Sequence, residues 1–233
     1  MLKVCPMPPQ ADPDMLARLR GVDPTTIGHF RHYGFVDPEI RSVHPGHRIT
    51  GTAVTVCMPA IDSALLHYVV SRCRPGDVLI IDRLGDRRHA CMGGVVAAAM
   101  KKSGIAAVIL DGLACDFEEI RDLDLPVWCR GEAVLTAKFI GVGGAINIPV
   151  SCGGVAVTPG DVVLASTGGV LILPPDEAEI AYCIEKSLSM QAGEPSKLKE
   201  IAHGKLIGDL SGANQRIEAL LAAQEEEFAK WSK

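Results

Sequence analysis

Asp116 lies at the end of an apolar segment, where a carboxylate is well placed to act on a bound ligand. Residues 105–110 are typical of a buried strand, and Asp111-Gly112-Leu113-Ala114-Cys115-Asp116 follows them. Open α/β sheets bind ligands at the carboxyl ends of their strands, and one or two carboxylates suffice for a hard divalent cation that keeps its waters. Asp is also a preferred N-cap residue, and residues 117–121 are predicted to begin a helix. Asp116 therefore either holds a metal ion or caps that helix.

A second group of residues is suited to anion binding. Cys91-Met92-Gly93-Gly94 opens a predicted helix over residues 94–103. Glycines at a helix start leave backbone N–H groups accessible to a carboxylate or a phosphate. The alternative is a tight strand-to-helix turn without a ligand. Four basic residues just before the turn favour an anion: Arg83, Arg87, Arg88 and His89.

Two histidine pairs and one cysteine are weaker candidates. His29 and His32 are three residues apart, as are His44 and His47 around a Pro-Gly turn, but neither pair shows the carboxylate and third ligand of a zinc enzyme. We expect no metal site at either pair. Cys115 has no recognisable base as a partner, so we interpret it as a structural thiol and not as a nucleophile.

The elements around these residues form a recognisable α/β pattern. Pro75-Gly76-Asp77 is a turn signal and is followed by a predicted strand over residues 78–82. The helix over residues 94–103 contains alanines and ends at Gly104, where a left-handed cap belongs. Strand, glycine-rich turn, helix and strand in this order predict a βαβ unit.

The remainder of the chain divides into short strands and then helices. Five short apolar runs between residues 127 and 173 predict an antiparallel or mixed second layer. Residues 175–190 and 217–231 show helical spacing of apolar residues. We therefore predict an α/β domain over residues 1–175 and C-terminal helices over residues 176–233 that pack on this domain or on a neighbouring subunit.

Composition excludes several classes of protein. Of 233 residues, 48% are hydrophobic, 22% charged and 4% aromatic, which excludes a disordered chain, a collagen and a coiled coil. The net charge of −5 gives no basic surface for direct nucleic-acid binding. The longest uncharged run, residues 139–160, contains Pro149 and Pro159, so no membrane span is expected. Eight cysteines without a Cys-x-x-Cys pair and no secretory signal predict a cytoplasmic protein with reduced thiols.

Between about Arg48 and Pro174, the chain resembles the RraA-like family, which includes regulators of RNase E activity and metal-dependent 4-hydroxy-4-methyl-2-oxoglutarate aldolases. The resemblance depends on a series of motifs in a fixed order: Gly51-Thr52-Ala53-Val54-Thr55, Pro75-Gly76-Asp77-Val78, Gly93, Asp111-Gly112 with Asp116, Leu125-Pro126-Val127, Pro149-Val150, Gly153-Gly154-Val155, Pro159-Gly160-Asp161 and Gly169-Val170.

The resemblance implies a swivelling β/β/α fold, assembled as homotrimers or homohexamers with active sites between subunits. It implies that Asp116 binds a divalent ion, Mg²⁺ or Mn²⁺, and that the backbone at Gly93, Gly94, Val95 and Val96 binds the carboxylate of a small 2-oxo acid. In the aldolases, an arginine just before the metal aspartate neutralises the enolate.

The chain departs from this pattern at two positions, where Cys115 replaces the arginine and Gly94 replaces an acidic residue. Loss of one donor at a developing oxyanion lowers a rate by about 10² to 10³. Two hypotheses follow. In the first, the chain is a divergent metal-dependent lyase, an aldolase or decarboxylase of 4-hydroxy-4-methyl-2-oxoglutarate or oxaloacetate, with Cys115 in the substrate site and Arg87 or Arg88 as the substitute cation. In the second, it is a catalytically impaired oligomeric binding module of the RNase E regulator type.

Overall fold

The computed structural model describes residues 1–231, which fall into two units, Met1–Ser187 and the part from Leu188 on. Its strands are β1 Leu2–Val4, β2 Arg41–Ser42, β3 Ile49–Cys57, β4 Asp77–Asp82, β5 Ala107–Ala114, β6 Val127–Glu132, β7 Gly144–Ile146, β8 Val150–Cys152, β9 Val155–Val157, β10 Val162–Ser166 and β11 Gly169–Leu173. Its helices are α1 Pro13–Arg20, α2 Pro24–Gly28, α3 Ala64–Val70, α4 Gly94–Lys102, α5 Phe117–Asp122, α6 Glu177–Ala202, α7 Ile207–Ser211 and α8 Ala213–Trp231.

A parallel sheet of four strands forms the centre of the first unit. β3, β4, β5 and β6 are hydrogen-bonded in this order, with Val54 opposite Leu79 and Ile80 opposite Ile109. The sequence β4, α4, β5 confirms the predicted βαβ unit. Because consecutive parallel strands place their carboxyl ends at one edge, the turn after β4 and the segment after β5 approach each other there.

Both faces of the sheet are covered, which explains the continuous apolar runs in its strands. Leu79 and Ile81 pack on one face against residues of α3, α4 and α5, whereas Val78 and Ile80 pack on the other face with Trp128 and the β8–β9 strands. Side chains alternate between these faces because the strand period is two residues. The fold is therefore an α/β fold with a largely buried parallel sheet.

Turn residues take the conformations that the sequence predicts. Gly76, before β4, has a φ of +87°, which glycine adopts without a Cβ penalty. Gly104, after α4, has a φ of +76° and donates its N–H to the carbonyl of Lys101 at 3.1 Å. These two positions delimit the βαβ unit, so the local signals fix where its strand and helix begin and end.

The strands after Asp116 do not build the predicted second layer. β6 extends the parallel sheet, and the β10–β11 hairpin joins the same sheet by antiparallel pairing of β10 with β3, while β8 and β9 form a small separate sheet. The strand β3 is long enough to take additional strands on its free edge, so β7 and β10 join the main sheet. Its nine residues pair with β4 along one edge, and its other edge pairs with β10 at Ile49–Thr52 and with β7 at Val56 and Cys57.

The C-terminal part is helical, as predicted, although the first helix is longer than the sequence indicates. α6 has 26 residues and contains Pro195, whereas the apolar periodicity that predicts it stops near Leu188. None of the residues of α8 is buried. No helix within residues 1–231 is long and apolar enough to span a lipid bilayer.

Candidate active site

The start of α4 and the end of β5 form one site. The N–H of Cys115 donates to the carbonyl of Met92 at 2.9 Å, and the N–H of Gly94 donates to Asp116 Oδ2 at 3.0 Å. These contacts show that the segments after β4 and β5 remain close to each other beyond the ends of the two strands. The two candidates identified separately in the sequence, the glycine turn and Asp116, therefore lie in direct contact.

Asp116 has an unusual backbone conformation, with φ +57° and ψ +49°. This left-handed region is sparsely populated by residues other than glycine, although Asp and Asn tolerate it best. The Asp116 side chain makes no cap hydrogen bond to α5. Instead Glu132 Oε1 accepts the N–H of Phe117 at 3.2 Å. The interpretation of Asp116 as a simple helix cap is therefore wrong, because its carboxylate bonds to the start of α4.

Gly93 permits this arrangement because it has no side chain. A Cβ at position 93 would lie 2.3 Å from Asp116 Oδ2 and 2.6 Å from Cys115 Sγ. Both distances are far below van der Waals contact. The φ of Gly93 is −149°, so the requirement for glycine is steric and not conformational.

Two backbone donors at the start of α4 remain for a ligand. The first N–H groups of a helix have no intrahelical acceptor. The N–H of Gly94 is used by Asp116, and the helical bonds begin with Ala97 N–H to the Gly93 carbonyl at 2.9 Å. Of the four predicted positions, Gly94 already has an acceptor for its N–H in Asp116, and the N–H groups of Val95 and Val96 lie before the first helical bond and have no acceptor within α4.

A cavity of about 200 Å³ opens at this point. Its walls include five of the predicted residues: Gly93, Val95, Val96, Cys115 and Asp116. Its walls also include three polar residues that the sequence did not indicate: Ser63, His67 and Thr136. His67 is on α3 and its ring meets that of Phe139 edge to face, with centroids 5.5 Å apart. No spacing rule connects α3 with the glycine turn, so only the fold brings His67 here.

The predicted arginines do not line this cavity. Arg83 is fully buried and donates from Nη1 to the carbonyl of Asp62 at 2.9 Å. Arg87 and Arg88 are exposed, and Arg87 Nη1 lies 4.0 Å from Glu39 Oε2. Within one chain, neither takes the position of the missing family arginine. Arg87 and Arg88 lie on the loop after β4, and the sequence does not predict the course of this loop.

Cys115 is a neutral thiol. Burial, followed by the hydrogen bond and charge of Asp116, raises the pKa of the Cys115 thiol from 9.0 to about 11. Its Sγ lies 3.5 Å from the carbonyl oxygen of Met92, to which it donates. A thiol that stays protonated near pH 7 is a weak donor and a poor nucleophile, in agreement with its interpretation as a structural thiol.

The residues around Asp116 fit a hard divalent cation. Asp116 borders a further opening of about 420 Å³ whose walls include Glu119 and Glu132. A Cβ on Gly94 would lie 3.0 Å from Glu119 Cβ, so the Glu119 side chain lies against the position where the resemblance leads us to expect an acidic residue. Mg²⁺ is typically bound by one or two carboxylates and several waters. Asp116 supplies one such carboxylate, and Glu119 and Glu132 line the same opening without converging on Asp116 to within 4.8 Å as a group of three.

Comparison with known proteins gives a consistent assignment. Residues 24–172 match the RraA-like family described as Aldolase/RraA. A Halalkalibacterium halodurans protein, provisionally named 4-hydroxy-4-methyl-2-oxoglutarate aldolase, is 30% identical over 83% of this chain and 91% of its own length. A Thermus thermophilus protein with that aldolase name is 34% identical over 48% of this chain and 68% of its own.

A solved structure agrees with this assignment. Streptomyces coelicolor RraAS2, described as an unusual member of the RNase ES inhibitor RraA family, superposes with a TM-score of 0.70 and 26% identity, covering 81% of this chain and 99% of its own. The motifs, the sheet order and these matches agree, and the chain belongs to the RraA-like family.

Proposed function

We propose that this chain is a divalent-metal-dependent lyase that cleaves small 2-oxo acids, with 4-hydroxy-4-methyl-2-oxoglutarate or oxaloacetate as substrate. The observation that carries the proposal is the contact between Asp116 Oδ2 and the N-terminus of α4 at the wall of one small cavity. This contact brings a carboxylate, which is suited to a divalent ion, close to the backbone N–H groups of the first turn of α4. The aldolase names of relatives at 30% and 34% identity support the same class of reaction.

The start of α4 binds the carboxylate of the substrate. The N–H groups of Val95 and Val96 point out of the first turn, and the helix dipole adds positive potential there. Because a side chain at position 93 would displace Asp116, the glycine keeps the carboxylate-binding turn and the metal-binding carboxylate adjacent. A cavity of about 200 Å³ suits an acid of a few carbon atoms.

Asp116 holds the metal ion, magnesium or manganese, with Glu119 and Glu132 adding negative potential beside it. When bound, such an ion acts as a Lewis acid toward the 2-oxo group. The C3–C4 bond breaks, its electron pair stays on C3 of the 2-oxo fragment, and C3 then takes up a proton. In the aldol cleavage the 4-hydroxyl group gives up its proton to a base as C4 becomes a ketone, whereas in the decarboxylation C4 leaves as carbon dioxide and the proton comes from water. 4-Hydroxy-4-methyl-2-oxoglutarate then gives two pyruvate molecules, and oxaloacetate gives pyruvate and carbon dioxide.

His67 is the residue we assign to proton transfer. Among the described residues that line the cavity, it is the one imidazole, and lysine and arginine are absent from the walls. Histidine is the side chain that most often acts as a general acid or base in enzymes. Cys115 stands where the family has an arginine, but its S–H donates to the Met92 carbonyl, so we expect the rate to be lower by about 10² to 10³ than with a guanidinium.

The test is an assay of pyruvate release by the purified full-length chain. Each substrate is incubated with Mg²⁺ or Mn²⁺ and, in parallel, with a chelator, and pyruvate is detected with lactate dehydrogenase. We expect metal-dependent release that Asp116→Asn abolishes, while Asp122→Asn, which changes an exposed carboxylate at the end of α5, retains it. Full metal-dependent turnover by Asp116→Asn would refute the role of Asp116.

The absence of lysine and arginine from the cavity walls favours one alternative, a binding module of the RNase E regulator type. Likeness to the Streptomyces coelicolor RNase ES inhibitor family member supports it. Calorimetry with Mg²⁺ and pyruvate separates the two functions, because a binding module has no reason to retain affinity for both ligands together. A folded protein that binds neither ligand, turns over neither substrate and inhibits an RNase E-type nuclease would establish the alternative.

A further inference from the structure

Three side chains of metal-ligand type converge at the far end of α5. His44 Nδ1 lies 3.2 Å from His47 Nε2, His47 Nε2 lies 3.1 Å from Asp124 Oδ1, and His44 Nδ1 lies 3.6 Å from Asp124 Oδ1. Within residues 1–231, no other group of three such side chains brings its ligand atoms within 4.8 Å of one another. The expectation that His44 and His47 lack a third ligand is therefore wrong, because Asp124 supplies it.

The triangle has the dimensions of a metal site. Zinc binds imidazole nitrogen and carboxylate oxygen at about 2.0–2.2 Å in a tetrahedron, which separates two ligand atoms by about 3.3 Å. The three observed edges lie on either side of this distance. The two imidazole rings are perpendicular, at 87°, with centroids 4.7 Å apart, so both nitrogens can face one point without ring overlap.

The histidine turn is held in place by its surroundings. Gly46 has a φ of +103°, as Pro-Gly turns require, and its N–H donates to Thr167 Oγ1 at 2.9 Å. Ser42 Oγ donates to the carbonyl of His44 at 2.8 Å. These bonds fix the backbone on both sides of the turn, so the protein does not need to reorganise this backbone to bind an ion.

Asp124 is also held in place, by contacts with Lys101. Lys101 Nζ donates to the backbone carbonyl of Asp124 at 2.6 Å and lies 3.8 Å from its Oδ2, whereas Oδ1 faces the histidines. The carboxylate therefore has one oxygen for the ion and one toward an ammonium group, an outer-shell contact typical of metal sites. Arg121 Nε donates to the carbonyl of Val43 at 3.1 Å and ties the end of α5 to the histidine turn.

We propose that His44, His47 and Asp124 form a second metal site of this protein, for Zn²⁺ or a similar transition-metal ion. Two imidazoles and one carboxylate select such ions over Mg²⁺, which prefers oxygen ligands. The His44, His47 and Asp124 side chains are 34%, 20% and 64% exposed, which leaves the fourth position open to water or an external ligand. The ion clamps the turn to the end of α5.

This site is separate from the one at Asp116. The six residues of α5 lie between them, a rise of about 9 Å along the helix, with Asp116 before its first residue and Asp124 after its last turn. The ligand types differ as well. The neighbours of Asp116 that could bind a metal ion are carboxylates, whereas the second site has two imidazoles and one carboxylate. Binding at the second site therefore stands or falls independently of the lyase activity.

The test is a Co²⁺ and Zn²⁺ titration of the untagged, chelator-treated full chain. Ligand-field absorption of Co²⁺ reports on its coordination, and Zn²⁺ must displace it with one equivalent per chain. We expect His47→Ala and Asp124→Ala each to weaken binding at least about 100-fold. The matched controls are His29→Ala, from the other His-x-x-His pair, and Asp122→Ala, the neighbouring exposed carboxylate on α5, and neither should change the affinity.

The titration is repeated with Asp116→Asn, which should retain full Co²⁺ affinity. Zn²⁺ should also raise the melting temperature of the wild type by several degrees and leave that of His47→Ala unchanged. If a variant does not fold, as judged by circular dichroism, His44→Gln and Asp124→Asn replace it. Absence of one-equivalent binding, or equal binding by the triad variants and wild type, would leave only a hydrogen-bonded triad and overturn the proposal. Loss of binding in Asp116→Asn alone would assign the ion to the first site.

Discussion

The backbone N–H of Gly94 donates a hydrogen bond to Asp116 Oδ2 across 3.0 Å, although 22 residues separate the two in the chain. Among the described residues that line the cavity, Asp116 is the one carboxylate, and the contact orients it and uses the N–H of the first residue of α4. It exists because Gly93, immediately before, has no side chain to occupy the same space. Gly93 and Gly94 thus position both the Asp116 carboxylate and the first turn of α4.

Gly93→Ala should remove activity with little loss of stability. The new methyl group would lie 2.3 Å from Asp116 Oδ2 and 2.6 Å from Cys115 Sγ, and both atoms are side-chain ends that can rotate away. We expect a fall in metal-dependent turnover of at least about 100-fold, as for loss of a preorganised group. The free energy of unfolding should decrease by about 1 kcal/mol, at the lower end of overpacking effects. Pyruvate release and urea unfolding measure the two quantities.

The control for this substitution is Gly193→Ala. Nothing lies within 4 Å of a Cβ at position 193, which is inside α6. Alanine there should leave turnover unchanged and stabilise the helix by about 0.5–1 kcal/mol. Normal activity in Gly93→Ala would show that the close approach of Asp116 to the turn is not required.

Cys115→Arg should increase the decarboxylation of oxaloacetate. A neutral thiol, with its pKa raised to about 11, cannot neutralise the charge that develops on the substrate, whereas a guanidinium carries a permanent charge and fixed donors. We expect a gain of about tenfold, below the full donor effect, because the arginine must also find a productive rotamer. Steady-state assays with Mg²⁺ measure the change.

Cys115→Gln is the uncharged control, and it should give no gain. If the wild type is already fast and Cys115→Arg slows it, another group on the walls must supply the positive charge, with His67 the first to test. If neither form acts on any 2-oxo acid while both stay folded, the lyase proposal fails.

Stability should decrease at alkaline pH through the buried thiols. Burial raises the pKa of Cys129 from 9.0 to about 11. Between these values the unfolded chain loses a proton that the folded chain keeps, so the free energy of unfolding falls as the pH rises. At pH 10 this residue alone should account for about 1 kcal/mol.

Urea unfolding of wild type and Cys129→Ala at pH 8 and pH 10 isolates this contribution. The alanine variant is less stable at both values, but its loss between them should be smaller than that of the wild type. Equal losses in the two proteins would show that Cys129 does not contribute to the alkaline decrease.

The exposed apolar residues of the last helix predict self-association. Five large side chains of α8 are more than half exposed: Ile217, Leu220, Leu221, Phe228 and Trp231. A monomer rarely leaves such a surface in water. We expect a closed homo-oligomer, a trimer or a multiple of it, with a lower mass for the Leu220→Glu, Leu221→Glu double variant. A monomer mass for the wild type by light scattering at micromolar concentration would contradict this.

The βαβ unit and the main candidate site residues can be predicted from the sequence alone. Pro75-Gly76, Gly93 and Gly104 act on the backbone within a few residues, and the apolar runs between them have lengths typical of strands and helices. Such signals are local, which is why they predict the ends of β4 and α4. Because these signals are local, they identify Asp116 and the glycine turn only as two separate candidates.

The contacts between distant segments were decided by the tertiary structure. Sheet order brings Asp116 to Gly94, the path of the loop after β4 takes Arg87 and Arg88 away from the cavity, and α5 delivers Asp124 to the His44–His47 turn. Sequence spacing carries no information on these distances, because they depend on which strands pair and on how each loop crosses the surface. The sequence therefore shows which residues could take part in chemistry, whereas the fold determines which of them contact one another.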